Sequence, residues 1–357
     1  MLHWLEAEEG RKHLLDVIGK GLPIEKLALR NVDVVGVNFT GAIFSNCYFQ
    51  QLSFINNIFK DTVFSECEFE NINLDQAQMY GVVFSNARLQ QVSFKKATLK
   101  SVSFVESQFD SVDFNEAEYV QTNFVNSKFN DVSFVGARHQ LSVFTKCQLN
   151  QSDFSNNFFD RTTFFEQDLT QCLFKAVTSD KMVLASSILD NLDLQGAVLP
   201  FVQCHKTSLK GTNLNQAILN NSNFIDAELS QCQFEKAQLT QACFLRSKLN
   251  KANLMESNLF QARIVRSDLR QAQLDKMLAQ GSVWHLSNLT GASIHSADLS
   301  SADMIGANLT EADLSHTNLL QTKLDQTMRQ GWQTAGSNIE LAHAENTTYA
   351  AYVLENT

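Results

Sequence analysis

The chain has 357 residues, enough for one large domain or two to three ordinary ones. Its 28 Lys and Arg against 38 Asp and Glu give a net charge of −10 with no basic block, which argues against a nucleic-acid-binding protein. The 27 Phe residues, beside only 2 Pro, indicate that a repeated pattern consumes Phe.

The N-terminal segment is predicted to be a helical cap over residues 1–28. Apolar residues recur at helical spacing up to Ile18, and Gly19, Gly21 and Pro23 end the helix. The segment begins MLHWLEAEEGRK, without the basic stretch and apolar run of a secretory signal, and no 18-residue apolar run follows. We therefore expect a soluble, cytoplasmic protein with no membrane span.

Large apolar residues then recur every five positions from Phe39 to Leu324, without a slip in register. Of the 58 positions in this series, which we call central, 52 are Phe, Leu, Ile or Met. Two positions earlier, the residue is Ala, Ser, Cys, Thr or Val in 50 of the 58 cases. Period five fits neither a helix nor a strand alternation. It fits a square coil of four five-residue sides, so that about 14 coils of 20 residues stack at the inter-strand spacing of about 4.8 Å.

Segments such as ADLSS at 297–301 and ADLSH at 312–316 resemble the A(D/N)LXX consensus of the pentapeptide repeat family. The resemblance implies an all-β fold, a single right-handed quadrilateral β-helix over residues 29–324, with short helical caps at both ends. It also implies that Asn or Asp before the central residue helps to set the corner turns, since these side chains bond to nearby backbone.

Six central positions depart from the pattern, and all of them lie on two adjacent walls: Tyr119, His139, Ser179, Cys204, Ala279 and Trp284. Two interpretations of His139 stay open, a ligand contact through a local opening or a buried histidine satisfied by its neighbours. The pattern also weakens at 175–207 and 277–287, where we expect bulges or loops.

Residues 325–357 leave the period, and the stretch from Asn338 to Leu354 has good helix formers and no proline. We predict a C-terminal helical cap or dimerisation element that covers the last coil. A cap is needed because an exposed terminal coil is a sheet edge that can pair with another copy.

No motif indicates chemistry. Most of the seven cysteines occupy inward positions and are interpreted as core residues, not as disulfides or zinc ligands. His295 and His316 lie one coil apart, but two ligands make a weak metal site. The aspartates that precede central residues are explained by the corner turns. We predict no catalytic residues, no cofactor, no metal site and no enzymatic activity.

Outward residues that stand out are candidate partner contacts. Four Phe residues lie outside both the central positions and the small inward positions, and they are predicted to point to solvent: Phe158, Phe165, Phe201 and Phe260. The one net-positive region, 246–276, contains the other candidates, Arg263, Arg266 and Arg270, and is either a docking patch or a solvated face.

The predicted function is a rigid, non-enzymatic scaffold for protein–protein interaction, with homodimerisation through the C-terminal end as a further expectation. The resemblance implies two alternatives. One is a DNA mimic that binds type II topoisomerase, although a mimic about 70 Å long would carry roughly 40 negative charges. The other is an effector or adaptor of a bacterial secretion system, exported without a signal peptide.

Overall fold

The computed structural model describes residues 4–343 and 346–356. The chain forms two compact units, which divide between Val177 and Thr178. Within each unit the backbone winds into coils that pair in parallel at a spacing of 20 residues, as Phe84 with Phe104 and Asn253 with Gln273. The predicted fold class, an all-β parallel solenoid with short helices at its ends, is confirmed.

Three walls of the first unit are parallel sheets of short strands. The first sheet contains Trp4–Glu6, Ala28–Arg30, Tyr48–Gln50, Glu68–Asn73, Arg88–Ser93, Gln108–Asp110, Lys128–Asn130 and Gln148–Asn150. The second contains Ile24–Glu25, Ile43–Ser45, Val63–Ser65, Val83–Ser85, Ser103–Val105, Asn123–Val125, Val143–Thr145 and Thr163–Phe165. The third contains Ile58–Lys60, Gln78–Tyr80, Thr98–Lys100, Glu118–Val120, Arg138–Gln140 and Phe158–Asp160. The fourth wall pairs through isolated bridges, such as Ser93 with Asp113.

In the second unit Thr178–Asp180 is the one strand assigned in the described residues, and the coils pair through isolated bridges. Regular strands therefore mark about nine turns, fewer than the 14 coils expected. The reason is the corner geometry. The carbonyl of each central residue accepts a hydrogen bond across its own corner, as Leu214 O does from Ala217 N at 3.1 Å, and only the preceding residue forms a bridge.

Nearly every corner has a left-handed residue, which is most often polar or glycine, although Leu141, Ala176, Phe201 and Leu286 also adopt this conformation. Glu106 has φ 52° and Gln216 has φ 61°. With the hydrogen bond between Leu214 and Ala217, the second case is a type II turn. The Asn or Asp before the central residue accepts from the backbone two residues later, as Asp153 Oδ1 does from Ser155 N at 2.8 Å. The turn role predicted for these aspartates is confirmed.

The core of the first unit is built from stacked Phe rings. The rings of Phe104 and Phe124, one coil apart, have centroids 5.0 Å apart and planes 4° apart. Neighbouring walls meet edge to face, as Phe104 does with Phe109 at 5.2 Å and 68°. Both arrangements are favourable for aromatic pairs.

The residue at the small inward position is small, and in many coils its side chain also donates a hydrogen bond. Thr122 Oγ1 donates to Leu99 O in the preceding coil at 2.9 Å, and Cys147 Sγ donates to Phe124 O at 3.3 Å. Most buried hydroxyls and thiols at this position are thereby satisfied by backbone carbonyls, whereas Ser152 Oγ has no partner among the described residues. This explains why Ser, Thr and Cys alternate with Ala at this position, and the cysteines are free.

The six central residues that depart from the pattern are accommodated without breaking it, since all of them are almost fully buried: Tyr119, His139, Ser179, Cys204, Ala279 and Trp284. The ring of His139 lies between those of Tyr119, at 4.4 Å, and Phe159, at 5.0 Å. Asn157 Oδ1 accepts from Ala137 N, so its Nδ2 donates to His139 Nε2 at 3.2 Å. The structure thus places His139 in the core, packed by its neighbours.

No loop interrupts the coils at 175–207 or 277–287, so the expectation of bulges or loops there is wrong. Pro200 is the second residue of a type II turn whose third residue, Phe201, has φ 58°. Proline is favoured at that position because its ring presets the required φ. Near 284, the small Ala279 is followed one repeat later by the large Trp284, whose Nε1 donates to Ser282 Oγ at 2.6 Å.

The N-terminal helix, Ala7–Gly19, packs on the first coil. A Cβ at Gly10 would lie 2.5 Å from Val32 Cγ2, so only glycine permits this approach. Arg11 donates to the carbonyl of Asp33 at 2.6 Å and to that of Val35 at 2.8 Å. Residues 1–3 of the predicted cap lie outside the described residues.

The C-terminal segment forms a 3-10 turn, Ile339–Leu341, and a helix, Thr347–Asn356. The helix packs Ala350 and Val353 on Ile305, an outward residue of an earlier coil, instead of covering the last coil as expected. The apolar outward side chain of Ile305 explains this position, because the helix buries it completely. The last coil is only partly covered, and its inward positions include the polar Thr327, Arg329, Thr334 and Ser337. Residues 344, 345 and 357 of the predicted cap lie outside the residues that the structure describes.

We expect Thr122→Val to lower the free energy of unfolding by roughly 1 kcal/mol, because it removes the donor to Leu99 O while keeping the side-chain shape. Denaturant unfolding measures the change. Val102→Thr, at the same inward position one coil earlier, is the reverse control, and we expect it to cost nothing. Equal stability of Thr122→Val and the natural protein would contradict the role given to this hydroxyl.

Burial lowers the pKa of His139 to about 3. Since the unfolded chain has a histidine pKa near 6.5, the unfolded state binds the proton first, and stability is lost as the pH falls below about 6.5. The loss is about 2 kcal/mol between pH 7 and pH 5. His139→Phe removes this pH dependence. When the pH falls from 7 to 5, the natural protein should therefore lose about 2 kcal/mol of unfolding free energy relative to the variant. Identical pH dependence of the two proteins in denaturant unfolding would refute a buried, neutral His139.

Candidate interaction surfaces

The predicted contact residues are spread over several walls, although Phe201 and Phe260 share one wall of the second unit. Phe165, Phe201 and Phe260 are each about 40% exposed. Phe158 is less exposed than these three, because the guanidinium carbon of Arg138 lies 4.9 Å from its ring centroid. Phe158 belongs to the third sheet and Phe165 to the second, so the structure does not bring these two residues together.

On the outer face of the second sheet, each strand from Ile43–Ser45 to Thr163–Phe165 carries one apolar residue, and we call this row the valine face. Its members flank the central column from Phe44 to Phe164: Ile43, Val63, Val83, Val105, Val125, Val143 and Phe165. The parallel register places Val63 beside Val83 and Val105 beside Val125. The remaining residues immediately beside this column are Ser, Thr and Asn, so no charge lies next to it.

Strand propensity alone does not explain the valine face. β-Branched residues suit strands in general, but the first sheet has the same strand geometry and carries Glu68, Arg88 and Lys128 at equivalent positions. The third sheet likewise carries Lys60 and Lys100. A contiguous apolar stripe confined to one wall is typical of an interaction surface.

Charged residues border the valine face along one corner. The exposed column at this corner contains Glu66, Glu106, Lys146 and Glu166. These residues have left-handed backbone, as in Glu66 with φ 53°, which directs the chain around the corner. The surface therefore combines an apolar stripe with a mostly acidic margin.

Sequence inspection found Phe165 but missed the rest of the valine face. The signal was present, because the outward residues before and after each central residue could have been sorted by their position modulo 20. Sorting only the inward positions leaves the valine face unseen. The outward residues before and after the central residue must be considered together, because Val63 precedes its central residue and Val105 follows its own.

The basic region does not form one patch. Arg263 and Arg266 are exposed on one wall, and Arg270 is exposed on the next. Asp268 accepts two hydrogen bonds from the Arg270 guanidinium, at 2.8 and 2.7 Å, which lower the pKa of that carboxyl. Asp226, one coil before Arg246, neutralises it in the same way, with its Oδ1 2.7 Å from Arg246 Nε. Much of the positive charge is thus paired within the surface.

The described residues include no group of three or more His, Cys, Asp and Glu that could hold a metal ion. His295 and His316 do meet, edge to face, with ring centroids 5.2 Å apart. None of the helices in the described ranges is long and apolar enough to cross a membrane.

Comparison with known proteins identifies the repeat. The model named "Pentapeptide repeat region" matches residues 37–114. The model named "Pentapeptide repeats (8 copies)" matches residues 183–216, 207–244, 267–304 and 292–327. No curated protein matches the chain.

Several solved structures are similar. HetL, a pentapeptide repeat protein involved in heterocyst differentiation regulation in the cyanobacterium Nostoc sp. strain PCC 7120, is 22% identical over 53% of this chain and 90% of its own, with a TM-score of 0.27. A trypsin-treated form of QnrB1, a plasmid-mediated fluoroquinolone resistance protein, is 16% identical over 50% of this chain and 92% of its own, with a TM-score of 0.26. A pentapeptide repeat protein of the Arabidopsis thaliana thylakoid lumen is 25% identical over 29% of this chain and 71% of its own, with a TM-score of 0.17. Similarity at this level carries no information about function.

The two family models together match more than half of the residues, and the coils wind at the spacing that a repeat of five predicts. The chain belongs to the pentapeptide repeat family.

Proposed function

We propose that the protein is a rigid, non-enzymatic scaffold that binds a protein partner through the valine face. The observation that carries the proposal is the row of one apolar residue per strand from Ile43 to Phe165, which runs along a single wall of the first unit. Hydrogen bonds between the coils hold these side chains at fixed spacing, so binding costs little ordering of the surface.

The filled interior supports a non-enzymatic role. Central and small inward residues are buried in coil after coil, such as Phe104, Ala117 and Phe124. An enzyme active site is generally a concave pocket with converging polar groups. The depression over the strands Glu118–Val120 and Arg138–Gln140 has a volume of about 200 Å³ and is open to solvent.

The distribution of charge does not favour the DNA mimic. A mimic needs rows of unneutralised negative charge, about one per 1.7 Å of duplex. Here acids are paired with bases of neighbouring coils, as Asp113 with Lys95 at 3.0 Å and Glu256 with Lys236 at 3.7 Å. No contact of the described residues favours the secretion-linked alternative either, so the scaffold is the function we propose.

The surface also defines the chemistry of the partner. An apolar stripe beside Glu66, Glu106 and Glu166 is complementary to an amphipathic segment whose apolar side is edged by Lys or Arg. The apolar side chains would supply most of the binding free energy, and the acidic margin would orient the segment.

We expect the variant Val63→Thr/Val83→Thr/Val105→Thr/Val125→Thr to bind the partner at least tenfold more weakly than the natural protein. Each change replaces an apolar methyl by a hydroxyl and keeps the β-branched shape, and a buried methylene-sized group contributes about 0.8 kcal/mol. The partner is first captured from native lysate and identified by mass, and its affinity for each purified variant is then measured by calorimetry.

The matched control changes four outward β-branched apolar residues on other walls of the first unit, Val35→Thr/Ile55→Thr/Val120→Thr/Val135→Thr. We expect this control to bind as the natural protein does. If both quadruple variants keep full affinity, the partner binds elsewhere and the role of the valine face is wrong. If no protein is captured by the natural chain, the scaffold proposal itself fails.

A further inference from the structure

One wall of the second unit is almost without charge. It consists of the outward residues around the central column from Leu199 to Leu319, and we call it the neutral wall. Of its 21 outward positions, from Val198 to Gln321, Asp298 is the one charged residue. Each of the other three walls carries seven or eight charged residues over the same number of coils.

Apolar side chains are distributed along the neutral wall. Those more than a third exposed are Phe201, Ile218, Phe260, Leu278 and Leu320, with exposed fractions of 41%, 37%, 41%, 46% and 44%. Phe260 lies in the middle coil of the wall, three coils from both Phe201 and Leu320. The wall therefore has apolar contacts at its centre and near both ends.

Amide side chains occupy much of the remaining surface and bond along the wall. Gln241 Nε2 donates to Gln261 Oε1 at 3.0 Å, and Asn258 Nδ2 donates to Gln238 Oε1 at 3.3 Å. An amide both donates and accepts, so a row of amides is complementary to a second identical row. Rows of carboxylates or ammonium groups would repel their own copies.

We propose that the neutral wall is a self-association surface that binds the neutral wall of a second copy of this chain. A two-fold axis near Phe260 would bring the two Phe260 side chains together and place Phe201 of one copy against Leu320 of the other. Such an interface is isologous, and its residues must not repel themselves. Two chains of net charge −10 can approach most readily through a wall that carries almost none of this charge.

The area of the wall suits a reversible dimer. Seven coils at about 4.8 Å and five residues at about 3.3 Å make a face of roughly 34 by 16 Å, or about 1,100 Å² for the two copies. Specific interfaces begin at about 1,000 Å². We therefore expect a monomer–dimer equilibrium in the micromolar range rather than an obligate dimer. The inference goes beyond the scaffold role and does not depend on it.

Sedimentation velocity of the full chain between about 1 and 100 μM, at about 150 mM salt, tests the proposal. The natural protein should shift from monomer to dimer over this range. The variant Gln238→Glu/Gln261→Glu should dissociate at least tenfold more readily, because it adds four negative charges to the dimer interface. Both glutamates keep the acceptor oxygen that Asn258 and Gln241 use, so the coils are preserved, which circular dichroism verifies.

The control Gln216→Glu/Gln271→Glu adds the same charge at exposed positions of other walls and should dimerise as the natural protein does. A charge exchange gives a second readout. Gln238→Lys/Gln261→Lys alone should be monomeric, and mixing it with Gln238→Glu/Gln261→Glu should restore a heterodimer.

Two results would overturn the proposal. One is a natural protein that stays monomeric at 100 μM, which would leave the wall to an uncharged ligand or another partner. The other is a dimer that the wall variant and its control form equally well, which would place the contact elsewhere, such as at the C-terminal end.

Discussion

Hydrogen bonds between backbone groups 20 residues apart determine nearly everything else in each unit. They require that every coil contain four sides of equal length, so nearly every corner has a left-handed residue and each side has a buried central residue. They also align outward residues into columns. A bias in composition that repeats every 20 residues therefore becomes a stripe on one wall, and both surfaces proposed here arise in this way.

The same ladder explains how polar residues are tolerated inside. A hydroxyl or thiol at the small inward position faces a carbonyl of the preceding coil, as Thr122 faces that of Leu99. His139 occupies a central position because its ring stacks as a Phe ring would and Asn157 bonds to its Nε2. Its Nδ1 has no partner in the described part of the chain, so part of its desolvation stays uncompensated. The low pKa of His139 follows from this burial.

Much of the fold could be predicted from the sequence because the interior tolerates little variation. The period of five predicts which residues are buried, and the structure confirms this burial even for exceptional central residues such as Cys204 and Trp284. Outward residues obey no such volume constraint, so the valine face appears only when coils are aligned. Pro200 departs from the sequence consensus, but it fits its turn. The position of the C-terminal helix depended on Ile305, whose outward apolar side chain gives no signal by itself.

The central claim is that outward residues 20 apart stand side by side on a wall, and engineered cysteine pairs test it most directly. In a Cys243→Ser background, Val63→Cys/Val83→Cys joins residues paired in adjacent strands, and a disulfide needs Cα atoms about 4.4–6.8 Å apart. Val63→Cys/Ser103→Cys separates the thiols by two coils, about 9.6 Å. The account predicts rapid oxidation of the first pair and none of the second under the same mild oxidant, read by mass. Equal rates, or faster closure of the second pair, would contradict it.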